Sequence, residues 1–371
     1  MSPSPVSRLL PPVSCLLSPV SRLLSPPLLT SPFDSTAKKS YTNQEDILKE
    51  THIKDTSLPL VIVNPKSAAG STEDRWARTA SDLRTHFGAF NVAFTTGPGD
   101  ATAIASGEAK AGRRFIIACG GDGTINEVAN GILLSGVDAE LGILPSGTGG
   151  DFRRSLGVPS STSKAASTLR SGTTRTIDVG KVSFHGLDGE PAERYFLNVS
   201  SIGLAAHVIK RVKSTTSLNW LPAASVRGKA NFAVSALQEV IGHDPVYIRV
   251  RIDGGEEKTL QTLAFCIANA RFFGGGMMIA PEAKLDDGLL DIVNIGDIST
   301  AAILLNAYSL YRGTHQSLPQ VDFATARKIE ITAVNDTHPI FLETDGELPG
   351  QLPAAYEIVP NALKVRVPQD R

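Results

Sequence analysis

The residues with the clearest chemical potential are three glycines and one aspartate in a single short segment. The sequence CGGDGTINEV, residues 119–128, lies between the apolar run FIIA and a stretch with helical spacing. A tight turn needs one glycine at most, and a helix start needs only a capping side chain. Three glycines therefore indicate that the backbone comes close to a ligand, with Asp122 facing it. Outward-facing backbone N–H groups suit phosphate oxygens.

Two further glycine-bearing loops follow apolar runs in the same way. NPKSAAG, residues 64–70, follows LVIV, and PSGTGGD, residues 145–151, follows LGIL. One such loop could be an ordinary turn, but three at the carboxyl ends of strands in one sheet favour a shared phosphate site. The patterns G-x-x-x-x-G-K-[ST] and G-x-G-x-x-G are both absent from the sequence. The loops therefore predict phosphate binding without a lysine-tipped P-loop.

The elements that must position these loops follow from the spacing of apolar residues. From Leu58 onward, short apolar runs alternate with longer amphipathic stretches, which is typical of parallel strands joined by crossover helices. The helix after the glycine segment has a predicted buried face of Ile125, Val128, Ala129, Ile132 and Leu133. After about Thr176, runs such as VYIRVRID and KIEITAV alternate as antiparallel strands do. Two further helices are predicted near residues 229–241 and 300–311.

The predicted fold class is α/β: an N-terminal doubly wound α/β nucleotide-binding domain, a mostly antiparallel β second domain, and an active site in the interdomain cleft. The predicted boundaries are an extension at 1–56, the α/β domain at 57–178, the β-rich domain at 179–353, and a segment at 354–371 that returns to the first domain. The extension is rich in Ser, Pro and Leu and has no acidic residue before Asp34, so disorder is predicted. It fits a targeting peptide poorly, and a dispensable extension or a start codon placed too early is favoured.

Composition excludes several classes of function. The 36 basic and 37 acidic residues nearly cancel, so nothing in the overall charge predicts nucleic-acid binding. The three cysteines lack paired spacing, which argues against disulfides and zinc and favours a reducing compartment. The seven histidines show no metal-binding spacing. No apolar stretch approaches the roughly twenty residues that span a bilayer, so no transmembrane segment is predicted.

Five segments, taken in order, resemble a known family. NPKSAAG, GGDGTINEVANGI, LGILPSGTGGDF, PEAKLDDGLLD and ETDGELPG are similar to the catalytic region of the diacylglycerol kinase, sphingosine kinase and bacterial lipid kinase superfamily. The resemblance runs from Leu58 to the C-terminus. GGDGT alone would also suit NAD kinases, but the longer motif and the late DGE favour lipid kinases, soluble bacterial diacylglycerol kinases most of all.

The resemblance implies an ATP site and a pair of catalytic carboxylates. The predicted ATP-binding residues are Asn64, Pro65, Lys66, Ser67, Ala68, Thr95, Gly120, Gly121, Asp122, Gly123, Thr124, Asn126, Glu127, Gly147 and Thr148. Asp122 would either hold the Mg²⁺ that bridges the ATP phosphates or accept the substrate hydroxyl proton. In the late motif, Asp345 is the favoured general base and Glu347 the favoured metal ligand, although the two roles could be reversed. The alternative is a simple DG hairpin turn.

Two other motifs bear on the resemblance. KLDDGLLD is similar to a structural magnesium loop, whose ligands would be the Asp287 carboxylate and the main-chain carbonyls of Lys284 and Leu289; a turn with solvated aspartates is equally favoured. The family has Asn-Asp where this chain has Gly150 and Asp151. Asp151 keeps a carboxylate for a supporting hydrogen-bond network. The missing amide puts in doubt the lipid or the rate more than the reaction class.

The predicted function is ATP- and Mg²⁺-dependent phosphorylation of a lipid hydroxyl, most simply diacylglycerol to phosphatidic acid. The protein would be cytoplasmic and peripheral to the inner face of the membrane, with the basic stretch around Trp220, residues 209–229, as a docking surface or a solvated helix and loop. An edge strand of the first domain could pair two subunits. The alternatives are a kinase for a sphingoid base, another glycerolipid or NAD, and a catalytically silent nucleotide- or lipid-binding regulator. The presence of Asp122, Asp345 and Glu347 argues against the regulator.

Overall fold

The computed structural model describes residues 55–147, 149–204, 206–208, 245–335 and 338–369. Three predictions fall outside these residues. They are the N-terminal extension apart from Asp55 and Thr56, the basic stretch at 209–229, and the predicted helix near 229–241. Thr148, a predicted ATP-binding residue, also lies outside the described residues.

The first part of the fold alternates strands and helices, as the sequence predicts. Its elements are β1 (Leu60–Val63), α1 (Ser71–His86), β2 (Asn91–Phe94), α2 (Asp100–Lys110), β3 (Phe115–Gly120), α3 (Asp122–Ser135), β4 (Glu140–Pro145), α4 (Asp151–Ser155) and α5 (Thr162–Ser171). The strands pair in parallel in the order β2-β1-β3-β4. The apolar run of β1 is fully buried, which is usual for a strand covered on both faces. The predicted face of α3 is confirmed, with Ile125, Val128, Ala129 and Ile132 buried and Leu133 half-buried.

The second part is mostly antiparallel. Its elements are β5 (Thr173–Gly186), β6 (Pro191–Phe196), β7 (Val199–Gly203), β8 (Val246–Ile252), β9 (Lys258–Thr262), β10 (Ala264–Ala268), β11 (Phe272–Phe273), β12 (Met277–Met278), β13 (Leu290–Ile295), α6 (Thr300–Arg312), β14 (Val321–Ala326), β15 (Lys328–Ala333), β16 (Phe341–Thr344) and β17 (Glu347–Val367). All the strand pairs among these elements are antiparallel. The predicted fold class is therefore confirmed, and so is the helix predicted near residues 300–311.

The long strand β17 joins the two parts into one sheet. Its start pairs with β16, and its end pairs in parallel with β4 through Lys364 opposite Glu140 and Val365 opposite Leu141. The sheet runs β14-β13-β10-β7-β16-β17-β4-β3-β1-β2. Leu363 and Val365 are buried in the core of the α/β part. This arrangement brings the turn between β16 and β17 to the carboxyl edge of the parallel strands, where the glycine loops lie. Among the described helices, none has the length and apolarity to cross a bilayer.

Candidate active site

The glycine segment is a sharp turn from strand β3 to helix α3. A Cβ atom on Gly120 would lie 2.4 Å from Oγ1 of Thr124, and a Cβ on Gly147 would lie 2.4 Å from Cα of Gly121. A Cβ on Gly123 would meet no atom within 4 Å. Packing against other protein atoms therefore excludes a side chain at Gly120 and Gly147, and the sequence alone does not show this. Gly123 is the position in this segment where open space lies beside the backbone.

Direct hydrogen bonds hold the three glycine-bearing loops together. The Asn64 side-chain Nδ2 donates to Thr124 Oγ1 at 3.1 Å, and the backbone N–H of Ser146 donates to the Gly120 carbonyl at 3.0 Å. The hydroxyl of Thr72 lies 2.6 Å from that of Ser67 and donates to the Ser146 carbonyl at 3.3 Å. The loops after β1, β3 and β4 thus form one continuous edge. This is the arrangement expected of a phosphate cradle.

The other predicted ATP-binding residues take distinct places along this edge. Pro65 and Ala68 lie in the first loop. Lys66, in the same loop, donates from Nζ to the carbonyl of Thr96, which follows β2, at 3.2 Å. Thr95 is buried at the end of β2. Glu127 points away from the glycine turn, because its Oε2 accepts the N–H of Ala101 at the start of α2, at 3.2 Å. Glu127 therefore holds a neighbouring helix in place.

Asp122 caps the short helix α4. Its Oδ2 accepts the N–H of Gly150 at 2.7 Å, and its Oδ1 accepts the N–H of Phe152 at 3.2 Å. Each carboxylate oxygen has a second lone pair beyond these bonds. A Cβ on Gly149 would lie 2.6 Å from Asp122 Oδ2, so this loop must be glycine-rich for the carboxylate to reach it.

Gly150, which departs from the family pattern, and Asp151, which keeps it, both tie this loop to neighbouring parts of the chain. Gly150 has a φ of 72°, a left-handed value, and its N–H bonds Asp122 directly. Asp151 is buried and accepts the N–H of Gly275 at 2.8 Å and Nη1 of Arg154 at 2.6 Å. Burial raises the pKa of the Asp151 carboxyl, and the nearby negative charge of Asp122 raises it further. The predicted supporting network therefore includes a tie to the turn between β11 and β12.

The DG sequence of the late motif forms a hairpin turn and also delivers a carboxylate to the glycine loops. Asp345 and Gly346 have φ values of 47° and 85°, as the two central residues of a type I′ turn require. The Asp345 carboxylate accepts four N–H bonds, at 2.7 to 3.1 Å, from the backbone of Leu197, Asn198 and Val199 and from Asn126 Nδ2. Burial raises the pKa of Asp345, and the backbone hydrogen bonds oppose that effect.

Glu347 lies beside this turn and is tied to the same helix through an arginine. Arg194 Nη1 donates to Glu347 Oε2 at 3.0 Å, and Arg194 Nη2 donates to Asn126 Oδ1 at 3.0 Å. These contacts connect α3 to the β16–β17 turn twice. Asn126 bonds Asp345 directly, and it bonds Glu347 through Arg194. Within the described residues, no donor contacts Glu347 Oε1.

Sequence reasoning missed three residues of this network. Arg194 lies in the strand-like run ERYF, and nothing in that run distinguishes it from a surface arginine. Asn130 is buried and exchanges hydrogen bonds with the backbone N–H and carbonyl of Tyr195, at 3.1 and 3.0 Å. Two asparagines four residues apart on the buried face of α3 are the signal that could have indicated a polar contact there. Glu343 is also buried, and it accepts bonds from the Ser201 hydroxyl and the Gly346 N–H.

The predicted magnesium loop lies apart from this network, in the turn before β13. Asp287 Oδ1 accepts the N–H of Leu289 at 3.1 Å. Burial, together with the charges of Asp287 and Glu282, raises the pKa of Asp291 to about 6. This concentration of negative charge suits a cation, but the part of the chain that the structure describes holds no cluster of three or more His, Cys, Asp or Glu side chains placed to bind one. Mg²⁺ at this loop stays a prediction.

Two family models match the chain. The diacylglycerol kinase catalytic domain matches residues 59–182, and the YegS C-terminal NAD kinase beta sandwich-like domain matches residues 198–367. A diacylglycerol kinase of Mycobacterium tuberculosis (strain ATCC 25618 / H37Rv) is 30% identical over 271 residues, 73% of this chain and 82% of that protein. A diacylglycerol kinase of Bacillus subtilis (strain 168) is 29% identical over 280 residues, 75% of this chain and 85% of that protein.

Solved structures show the same fold. A diacylglycerol kinase from Bacillus anthracis str. Sterne superposes with a TM-score of 0.61 at 22% identity, covering 84% of this chain and 97% of that chain. A second structure from the same organism has a TM-score of 0.66 at 24% identity, covering 84% and 95%. The Mycobacterium tuberculosis relative, at 30% identity over 82% of its length, and the two matched domains show that the chain belongs to the diacylglycerol kinase family of lipid kinases.

Proposed function

We propose that this chain transfers the γ-phosphoryl group of ATP to the hydroxyl of diacylglycerol, giving phosphatidic acid. The observation that carries the proposal is the contact between Asn126 and Asp345, because it joins the β16–β17 turn, which carries the proposed catalytic motif, to the helix that follows the glycine loop. Phosphoryl transfer depends mainly on positioning and on neutralising charge, and this contact joins the two groups that must be positioned. The bacterial relatives named diacylglycerol kinases support diacylglycerol as the acceptor.

The three loops would bind the phosphates of ATP. The N-terminus of α3 and the loop after β4 present backbone N–H groups at the carboxyl edge of the sheet, where anions bind in α/β folds. Lys66 lies in the loop after β1 and can add a positive charge near them. Mg²⁺ bound to ATP would neutralise the negative charge of the phosphates. Asp122 would hold this Mg²⁺, because each of its carboxylate oxygens keeps a lone pair beyond its hydrogen bond.

The geometry favours Glu347 as the general base, with Asp345 as the residue that positions the turn. This reverses the favoured assignment from the sequence. Four N–H donors occupy the Asp345 carboxylate, which leaves it poorly placed to accept a substrate proton. Glu347 Oε2 is held by Arg194, and Oε1 is the oxygen that would take the proton of the acceptor hydroxyl. The acceptor oxygen then bonds to the γ-phosphorus, the bond to the β–γ bridging oxygen breaks, and ADP leaves.

A substitution at Gly123 tests whether the open space beside this glycine receives phosphate. We expect Gly123→Ala to leave folding intact, since the new methyl group would meet no protein atom. Gly123 is the second residue of α3, so alanine there should change the free energy of unfolding little. The affinity for ATP, measured by calorimetry, should nevertheless fall at least tenfold.

Gly107→Ala in α2 is the matched control, because its Cβ also meets nothing within 4 Å. Because Gly107 lies inside α2, alanine there should raise the free energy of unfolding by about 0.5–1 kcal/mol and leave the ATP affinity unchanged. Equal ATP affinity in the two variants would contradict the placement of phosphate at Gly123.

The acceptor is tested by offering the purified chain labelled ATP and Mg²⁺ with one candidate at a time. Mixed micelles would carry diacylglycerol, sphingosine or ceramide, and soluble NAD would go in a separate tube, because the second matched domain is described as NAD kinase-like. The proposal predicts label in the diacylglycerol sample. Label found only in sphingosine or only in NAD would identify that molecule, and not diacylglycerol, as the acceptor. ATP binding without transfer to any of these molecules would favour a catalytically silent regulator.

A further inference from the structure

Helix α6 exposes four of its six large apolar side chains. Leu305 is 83% exposed, Tyr308 69%, Tyr311 50% and Leu304 48%, and no residue of the helix is buried. These positions recur at spacings of three and four, so they form one continuous stripe. A surface helix normally buries such a stripe, and a contiguous exposed one marks an interaction site.

The side of α6 that faces the protein mixes apolar and polar residues: Ile303 and Leu310 are half-buried there, and Leu310 packs against the buried cluster that includes Ile279. Asn306 and Ser309 are half-buried, and each satisfies its side chain on the backbone of its own helix, at 2.8 Å to Ala302 O and 2.6 Å to Asn306 O. Gly313, directly after the helix, is packed so tightly that a Cβ would lie 2.8 Å from Pro281 Cγ and 3.0 Å from Met278 Sδ. The helix is therefore anchored at its C-terminal end, and its outer apolar side chains stay exposed.

The charge of the α6 segment, residues 298–321, is compatible with an anionic lipid surface. The sequence contains no acidic residue between Asp297 and Asp322, and the exposed Arg312 ends the helix. Leucines flanked by tyrosines and a terminal cation are typical of helices that lie in the membrane interface, where the apolar side chains enter the acyl boundary and the cation meets lipid phosphates.

The stripe also connects to the candidate active site. Helix α6 packs on β12, and the β11–β12 turn donates the N–H of Gly275 to Asp151 at 2.8 Å. The residue before Asp151 in turn bonds Asp122. A surface that binds through α6 would thus be held close to the loops proposed to bind ATP.

We propose that the outer face of α6, formed by Leu304, Leu305, Tyr308, Tyr311 and Arg312, docks on an anionic lipid bilayer. The proposal rests on the proposed function, because a lipid acceptor must be reached in a membrane. It identifies a docking surface different from the basic stretch around Trp220 that the sequence suggests. The two surfaces can be tested separately, since α6 is 71 residues further along the chain than residue 229.

The test is co-sedimentation of the full chain with vesicles of phosphatidylcholine and phosphatidylglycerol. We expect the double variant Leu305→Glu and Tyr308→Glu to bind at least tenfold more weakly than the wild type, because both side chains would bring charge to the interface. The matched control is Leu187→Glu with Tyr247→Glu, which makes the same changes at two other exposed positions, 63% and 51% exposed. The control should bind as the wild type does. Equal vesicle binding by the α6 variant and the wild type would overturn the proposal.

A second readout separates docking from catalysis. With a short-chain diacylglycerol dissolved below its micelle concentration, the α6 variant should keep its rate within about twofold of wild type, and with long-chain diacylglycerol in vesicles it should lose most of its activity. Wild type that phosphorylates short-chain diacylglycerol but binds no vesicles would overturn docking alone. Wild type that binds vesicles through α6 but phosphorylates no lipid would overturn the proposed function alone.

Light scattering identifies the competing occupant. If α6 instead pairs two copies of the chain, the wild type should be a dimer and the α6 variant a monomer at equal concentration, and this result would overturn bilayer docking. A Leu305→Trp variant gives independent support, because its fluorescence should shift to the blue when vesicles are added, beyond any change in the wild type. An unchanged difference spectrum would contradict insertion of α6.

Discussion

Replacing Glu347 with glutamine is expected to lower the kcat of phosphoryl transfer about 10²- to 10⁴-fold, the usual contribution of a general base. Glutamine keeps the size of the side chain and can still accept from Arg194 through its carbonyl oxygen, so the network around Asn126 should survive. What is lost is the oxygen that takes the acceptor proton. The affinity for ATP and the melting temperature should therefore change little.

The matched control for this change is Glu357→Gln on the same strand. Glu357 is exposed and pairs with Lys181 at 3.3 Å, a surface contact worth at most about 1 kcal/mol. Its kcat should be that of the wild type. If Glu347→Gln kept kcat within threefold of the wild type, Glu347 could not be the base.

Asp345→Asn is expected to damage both folding and activity, in contrast to Glu347→Gln. The Asp345 carboxylate accepts four N–H bonds, and an amide would turn its own N–H groups toward some of those donors. Leaving buried donors without acceptors should cost about 1–3 kcal/mol of unfolding free energy. Denaturant titration measures this loss, and the rate of transfer should fall with it because the turn that carries Glu347 is displaced.

A second DG turn in the chain provides the control. Asp253 has a φ of 48° and accepts the N–H groups of Arg327 and Lys328 at 2.9 and 2.8 Å, but it is exposed. Asp253→Asn changes the same residue type in the same backbone conformation, so it should cost less than Asp345→Asn and leave the rate unchanged. A loss of kcat in Asp345→Asn with full stability would instead indicate that Asp345 is the base.

Much of the fold could be predicted because its periodic patterns are local. Apolar runs alternate with amphipathic stretches, and a strand such as Leu60–Val63 that is buried on both faces must be uniformly apolar. The DG pair forms the hairpin that the sequence offered as the alternative to a catalytic role, as the left-handed φ values of Asp345 and Gly346 show, and the catalytic role itself stays a prediction. The site could be located approximately because glycine loops at strand ends fall on one edge of a parallel sheet.

The contacts within the site could not be predicted, because they depend on pairings between distant parts of the chain. The bond from Asn126 to Asp345 joins residues 219 positions apart and exists because β17 pairs with both β16 and β4. Arg194 enters the network only through that arrangement. The role of Gly120 was similarly hidden, since a glycine that makes room for Thr124 looks the same in the sequence as one that approaches a ligand.

The orientation of α6 is a further case. Periodicity predicts the helix, but its apolar residues are spread around it, with Ile303 and Leu310 half-buried and Leu305 and Tyr308 exposed. Nothing local indicates which face packs on the protein. In the structure the helix packs on the β12 side, where Met278 and Pro281 leave no room for a Cβ at Gly313.

The most direct test of the central claim is the fate of the γ-phosphate when the chain, ATP, Mg²⁺ and long-chain diacylglycerol are incubated together. We expect labelled phosphatidic acid in the lipid extract of the wild-type reaction, with at least a hundredfold less in the Glu347→Gln reaction at the same bound ATP. Label that never enters the lipid, although ATP binds, would contradict a lipid kinase acting on diacylglycerol.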